Sequence, residues 1–188
     1  MTATTPTNTP TSTELSGDYV LDPTHTRLGF VARHAMVTKV RGQFDEFEAK
    51  AHLDFADPTK SSAEVTFQIA SISTGQKQRD EHLRTNDFFD AEQFPTGHFV
   101  STSVTKDGED FVLNGDLTLK GITKPVTITW ESTGTAKDPF GNTRVGFEGK
   151  ATINRKDWGI EYNAALETGG VLVSDKIVLE FDVSAIKQ

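Results

Sequence analysis

The sequence predicts an all-β protein whose sheet either closes into a barrel or stacks into a sandwich. The first observation is strict alternation: in residues 47–55 every odd-numbered position is apolar and every even-numbered position is polar. Side chains of a strand point to opposite faces in turn, so this segment has one buried and one solvated face. The second observation is that the alternation recurs along most of the chain, which gives too many half-buried strands for one open layer.

The alternating segments follow one another in order and are separated by turn residues. Their further apolar rows are Leu28, Phe30 and Ala32; Ala63, Val65, Phe67 and Ile69; Phe111, Leu113, Gly115, Leu117 and Leu119; Val126, Ile128 and Trp130; Val145, Phe147, Gly149, Ala151 and Ile153; and Ile177, Leu179, Phe181 and Val183. Residues 76–86 break the pattern, because they are polar, lack Gly and Pro, and are rich in helix formers. We predict one short helix there.

Composition limits the function classes. The 188 residues suffice for one domain with a substantial core, as in many long all-β barrels. The formal net charge of -8 argues against nucleic acid or another polyanion, including an acidic membrane surface, as a partner. Because the chain has no cysteine, disulfides, thiol catalysis and thiolate metal sites are excluded.

The first residues differ in composition from the rest of the chain. Residues 1–16 are rich in Thr and Pro and have almost no apolar surface, so we expect a disordered tail, followed by a single domain over residues 17–188. This segment lacks the basic start and apolar run of a secretory signal, and no later stretch has the length of a membrane span. We therefore expect a cytoplasmic protein.

Patterns typical of catalysis or metal binding are missing. The five histidines never show the His-x-His or His-x-x-x-His spacing that places two ligands on one face of a strand or helix. His34 shares its parity with Leu28 and Phe30, so it is predicted to point inward as a hydrogen-bonded core residue. The alternative is that His34 begins a catalytic site for a lipid substrate. Nucleotide-binding and nucleophile-elbow motifs are absent, so we expect no catalysis, metal or cofactor.

The predicted inner face contains small residues, which bear on whether the barrel is hollow. They are Ala32, Ala49, Ala51, Ala63, Gly115, Gly149 and Ala151. Small residues leave room, and a barrel of about eight strands is wide enough to hold a small ligand. The same pattern fits a barrel filled by alternating small and large side chains. The composition leaves open a hollow, ligand-binding barrel and a solid structural or protein-binding one.

Several separated motifs resemble one known family. They are YVLDPTHTRLGFVARH at residues 19–34, VRGQF at 40–44, HLRTNDFFD at 82–90, GDLTLKGITKPV at 115–126 and INRKDWG at 153–159. Their order and spacing resemble the YceI-like family over nearly the whole chain. The resemblance implies a lipocalin-like, extended antiparallel β-barrel of about eight strands that holds a polyisoprenoid, isoprenoid quinone or related long-chain amphiphile. It favours the hollow barrel, and a protein that binds, stores or transports lipid without catalysis.

The resemblance also gives candidate residues for the cavity. Phe30, Phe44, Leu83, Phe88, Phe89, Leu117, Leu119, Phe147 and Trp158 match family motifs or flank them on the inward parity, and parity adds His34 and Ala151. For each of these side chains, plain core packing is the alternative to ligand contact. Asp22, His25, Arg155 and Asp157 lie in turn-like motifs, where they either lock loops or contact a polar head group. Transient membrane contact and a homodimer are both compatible with this interpretation.

Overall fold

The computed structural model describes residues 9–188, and almost all of its regular structure is antiparallel β-sheet. The strands are β1 (Gly17–Leu21), β2 (Arg27–His34), β3 (Thr38–Phe44), β4 (Phe47–Leu53), β5 (Ser62–Gln68), β6 (Ile72–Ser73), β7 (Thr96–Asp107), β8 (Asp110–Leu119), β9 (Ile122–Lys137), β10 (Thr143–Asn154) and β11 (Lys176–Lys187). The α-helices are α1 (Ser12–Leu15) and α2 (Lys77–Leu83), and single 3-10 turns occur at Pro58–Lys60, Ile69–Ser71 and Arg155–Trp158. None of the helices in the described part of the chain has the length and apolar character needed to cross a membrane.

Eight strands form a closed antiparallel barrel in the order β1-β4-β5-β7-β8-β9-β10-β11, and β11 returns to β1. Tyr19 of β1 lies opposite Lys187 of β11 on one side and Ala51 of β4 on the other. The prediction of a barrel is therefore confirmed, and the sandwich alternative is wrong. A tight turn joins β8 to β9: Lys120 and Gly121 both have positive φ, the conformation of a two-residue hairpin turn.

The sheet branches at β11. The last residues of β11 pair with β1, whereas Val178 to Asp182 pair with β2. β2 in turn pairs with β3, and the other edge of β3 carries only the two-residue strand β6 within residues 9–188. The β2–β3 hairpin thus extends the barrel wall at one end only.

The two ends of the barrel differ, and the register of β11 defines them. Lys176 of β11 pairs with Asn154 at the end we call the cap, where α2 and the Arg155–Trp158 turn lie. Lys187 pairs with Tyr19 at the opposite end, which we call the base. The helix predicted at residues 76–86 is confirmed as the shorter α2, Lys77–Leu83.

Of the tail expected to be disordered, residues 1–16, the structure describes residues 9–16, and residues 1–8 lie outside the described part of the chain. Ser12–Leu15 form one helical turn, and Thr11 caps it through a hydrogen bond between its side chain and the Glu14 N–H. Leu15 is buried against Tyr19, Val145 and Ala185 at the base. The Tyr19 hydroxyl donates to the Leu15 carbonyl oxygen at 2.6 Å. These contacts place the helical turn against the base of the barrel.

Four glycines on the barrel wall each lie beneath an aromatic ring. The pairs are Gly42 with Phe30, Gly97 with Phe67, Gly115 with Phe99 and Gly149 with Trp130. A Cβ at Gly97 would lie 2.1 Å from the Phe67 ring, so any larger residue there would displace the ring. These glycines allow the rings to lie flat against the backbone, a known way of covering a glycine in a sheet.

An ion-pair cluster ties the loops together at the base. Arg144 donates through Nη1 to Asp22 Oδ2 at 2.7 Å and through Nε to Asp138 Oδ2 at 2.8 Å. The hydrogen bond from Arg144 holds the pKa of Asp22 well below its usual range. Burial acts to raise the pKa of Asp138, but hydrogen bonds from the Asn142 N–H and from Arg144 lower it to about 2. Both carboxylates are therefore ionised over the whole physiological pH range.

These pKa values predict acid sensitivity. A carboxylate with a lower pKa in the folded state stabilises the fold fully above its unfolded pKa of about 4, and this stabilisation is lost as the pH falls toward the folded value. We expect the free energy of unfolding, measured by urea titration, to fall between about pH 4 and pH 2. Asp138→Asn should make this decline shallower, whereas Glu148→Gln, an exposed change on β10, should leave it unchanged. Equal slopes for the wild type and Asp138→Asn would contradict the assignment.

Candidate functional site

A cavity of about 310 Å³ runs through the barrel from the cap toward the base. This volume lies at the lower end of the range typical of small-molecule sites. Its wall comes from the inward-facing positions of the strands, from α2 and the segment after it, and from the chain that follows β10. The barrel is therefore hollow, and the alternative of a solidly packed interior is wrong.

Most of the residues predicted from the sequence lie on this wall. They are Phe30, Phe44, Leu83, Phe88, Phe89, Leu117, Leu119, Phe147 and Trp158. Phe44 is the centre of an aromatic group, with ring centroids 6.0 Å from Phe30, 4.7 Å from Phe67 and 5.9 Å from Phe89. This group joins the β2–β3 hairpin to the rest of the barrel through side chains.

The structure places two predicted residues away from the cavity. His34 is exposed at the end of β2. The pairing of β2 with β11 ends at Val31, so the His34 side chain lies beyond the barrel and does not point into it. Ala151 faces inward and is 7% exposed, but it belongs to the packed core, and its single methyl group does not reach the cavity. No histidine of the described chain lines the cavity, so the suggested starting point for a catalytic site is not there.

The small residues of the inner face have two different roles. Ala32, Ala49, Ala51 and Ala63 line the cavity and leave space, as the sequence suggested. Gly115 and Gly149 do not, because the rings of Phe99 and Trp130 cover them. The width of the cavity is therefore set mainly by alanines on β4 and β5, where Ala51 lies directly opposite Ala63.

The cap is built from α2 and the residues that follow it. Phe88 is buried, and its ring lies 5.1 Å from His82 and 5.0 Å from Tyr162, measured between centroids. Asp80 holds the start of α2 in place, because its Oδ1 accepts from the Thr74 N–H at 2.9 Å. The break in alternation located this segment in the sequence, but only the fold shows which rings meet.

Arg155 is the main buried cation at the cap, and sequence reasoning did not assign its partners. It is 5% exposed, and its guanidinium donates to three backbone carbonyls: Ser174 at 2.9 Å, Ile160 at 2.7 Å and Val173 at 3.4 Å. Burial lowers the pKa of Arg155, and the nearby Asp175 opposes that effect. The motif allowed Arg155 two roles, holding a loop in place or contacting a polar head group. These hydrogen bonds favour the first role.

Polar residues that border the cavity are confined to its two ends. Lys50, Asp54, Ser61 and Ser62 lie around the β4–β5 connection toward the base, where the Lys50 side chain points outward, and Arg155 lies at the cap. Between them the wall is apolar, with one polar atom of note: the indole Nε1 of Trp130 is buried and has no hydrogen-bond partner among the described residues. A long apolar tube with polar groups at its ends suits an amphiphile with a long hydrocarbon chain.

Comparison with known proteins agrees with the fold and the motifs. The family model for the YceI-like domain matches residues 19–185. The chain belongs to the YceI-like family. A UPF0312 protein of Photorhabdus laumondii is 39% identical over 152 residues, which cover 80% of this chain and 79% of that protein.

Solved structures of YceI-like and related proteins have the same architecture. The YCEI protein of Campylobacter jejuni matches with a TM-score of 0.72 and 30% identity, over 83% of this chain and 90% of that one. A polyisoprenoid binding domain from Saccharophagus degradans matches with a TM-score of 0.65 over 90% of this chain and 98% of that one. Its identity is 17%, so this second likeness concerns the fold alone.

Proposed function

We propose that this YceI-like protein binds a long-chain isoprenoid lipid, a polyprenol or an isoprenoid quinone, in the barrel cavity and carries it without changing its bonds. The observation that carries the proposal is the continuous apolar wall between polar ends. The polyisoprenoid binding domain of Saccharophagus degradans, which has the same fold, supports a lipid of this class. Family membership supports a binding barrel rather than an enzyme.

The energetics favour reversible binding and transport of the lipid. Burying hydrocarbon stabilises by roughly 0.8 kcal/mol per CH₂ group relative to water, so a long isoprenoid would appear to bind more tightly than any measured complex. Water is not the relevant reference, because such lipids reside in bilayers. A carrier has only to match the free energy of the lipid in the membrane, so the net transfer energy is small. Transport by exchange with a membrane follows from this balance.

The direct test is chemical analysis of what the protein carries. We expect an organic extract of protein purified from a lipid-containing host to yield, by mass spectrometry, a long-chain isoprenoid at substantial occupancy. Delipidated protein should then take up a polyprenol or an isoprenoid quinone from vesicles. A clean extract together with no uptake of either lipid would overturn the proposal. An extract dominated by short fatty acids would replace the isoprenoid class with another.

A further inference from the structure

The tip of the β2–β3 hairpin exposes apolar side chains at the cap end of the barrel. Met36 is 61% exposed and Val37 is 75% exposed, although both are large hydrophobic residues. A second turn, residues 165–172, lies beside this tip and is called the neighbouring turn below. Its Val171 is 36% exposed and extends the apolar surface. Clustered exposed hydrophobic residues mark interaction sites more often than single ones do.

The backbone holds this tip in a defined shape. Ala35 and Met36 have φ values of 52° and 64°, the left-handed conformation that residues with a side chain seldom adopt. The neighbouring turn supports them: the Ala35 N–H donates to the Leu172 carbonyl at 2.8 Å. A Cβ on Gly170 would lie 3.5 Å from the Cγ of Met36, so the two turns are in contact. Strained residues that persist in an exposed turn are a reason to look for function.

The hairpin is also basic, in a protein whose net charge is -8. Residues 27–44 contain four Arg or Lys residues and His34 but no Asp or Glu. Arg41 is paired with Glu180 at 3.0 Å. Arg33 and Lys39, which flank the tip and are exposed, have no ion-pair partner within residues 9–188. The net charge of the whole chain argued against an acidic membrane surface as a partner. The hairpin is locally positive, however, so its charge favours such a surface although that of the whole chain does not.

We infer that the tip of the β2–β3 hairpin docks on the anionic surface of a lipid bilayer. Met36 and Val37 enter the boundary between head groups and acyl chains, while Arg33 and Lys39 pair with lipid phosphates. Long basic side chains suit this position, because their stems lie along apolar surface and their charges remain at the interface. Glu167 on the neighbouring turn and Asp175, next to the residue that bonds to the Arg33 carbonyl, are opposing charges that these cations must outweigh.

The docking surface is continuous with the cavity wall. Ala32 of β2 lines the cavity and lies three residues before the strained turn. Val173, which forms a bridge with His34, lines it as well. A bilayer in contact with the tip is therefore close to the cap end of the cavity. The purpose of docking rests on the proposed function, but docking itself does not require a bound lipid.

The test is binding of delipidated protein to vesicles, measured by co-sedimentation. We expect the protein to bind vesicles that contain phosphatidylglycerol and not vesicles of phosphatidylcholine alone, with weaker binding as salt is added. The double variants Met36→Ser with Val37→Ser, and Arg33→Gln with Lys39→Gln, should each lower the partition coefficient about tenfold or more. Far-ultraviolet circular dichroism and thermal melting establish that both variants fold.

The matched control is Phe140→Ser. Phe140 is 88% exposed in the β9–β10 turn at the base, so it is a more exposed hydrophobic residue at the other end of the barrel. This change should leave vesicle binding unaltered. Loss of binding with Phe140→Ser, equal binding by the hairpin variants, or no preference for anionic vesicles would overturn the inference. A dimer that depends on Met36 and Val37, detected by sedimentation velocity in the absence of vesicles, would assign the tip to a second copy instead.

The two proposals fail separately. A carried isoprenoid in the extract, combined with no binding to anionic vesicles, removes the docking surface and leaves the proposed function intact. Binding to anionic vesicles through the hairpin, combined with a clean extract and no lipid uptake, removes the isoprenoid proposal and keeps the docking surface.

Discussion

Replacing Arg155 by Met should lower the free energy of unfolding by about 3 kcal/mol or more, the cost of leaving buried hydrogen-bonding groups without partners. Methionine keeps most of the apolar stem but removes the guanidinium that donates to the carbonyls of Ser174, Ile160 and Val173. These carbonyls belong to the chain that covers the cap, so this segment should loosen first. Urea unfolding measures the loss of stability, and protease sensitivity after residue 159 measures the loosening.

Lys156→Met is the matched control for this prediction. Lys156 is the next residue, it also approaches Asp175, at 3.4 Å, and its side chain is 47% exposed. Exposed ion pairs contribute little, typically under about 1 kcal/mol, so this variant should unfold almost as the wild type does. If the two variants lost equal stability, the loss would be explained by the removal of a positive charge near Asp175. The hydrogen bonds from Arg155 to the three carbonyls would then not be its cause.

Replacing Ala49 by Trp should abolish lipid uptake while the delipidated protein keeps its fold. Ala49 lies on the cavity wall opposite Val65, and both side chains face the open space. In a solid core an insertion of this size costs roughly 1 to 3 kcal/mol or more through overpacking. In a cavity the ring enters empty space, so we expect the melting temperature of delipidated protein to change little. Uptake of a polyprenol, measured by mass spectrometry after extraction, should fall to background.

Glu48→Trp controls for the added ring on the same strand. Glu48 is exposed on the outer face of β4, so the indole there should alter neither the melting temperature nor the uptake. Full lipid stoichiometry in Ala49→Trp, or a large drop in its melting temperature, would mean that the ligand does not occupy this part of the barrel.

Strand periodicity predicted the architecture because each row of apolar residues needs an interior to face. The rows that contain Ala49 and Phe147 lie as expected, and the polar interruption became α2. Parity gives the face of a strand but does not show what fills the space in front of it. Gly149 and Ala151 share the inward parity of Phe147, yet a ring covers the first and core packing encloses the second.

Two further features depend on tertiary contacts, and strand periodicity carries no information about them. His34 has inward parity, but β2 continues past the last residue that pairs with β11, so no barrel surrounds it. Arg155 acts on carbonyls in a segment of irregular structure, where no repeating pattern exists to read. The motif around it identified the family but did not assign those partners.

The branch at β11 divides the backbone hydrogen bonds of the barrel into two ladders. The ladder between β11, β1 and β4 closes the tube, while the ladder between β11, β2 and β3 holds the hairpin. Local opening of one part of a protein requires less free energy than global unfolding. We expect the hairpin ladder to open locally at the cap end, where Phe30 and Phe44 line the cavity, while the ladder at the base stays paired. Substitutions that weaken the hairpin ladder should then change the rate at which the proposed ligand leaves the cavity more than they change the lifetime of the folded state.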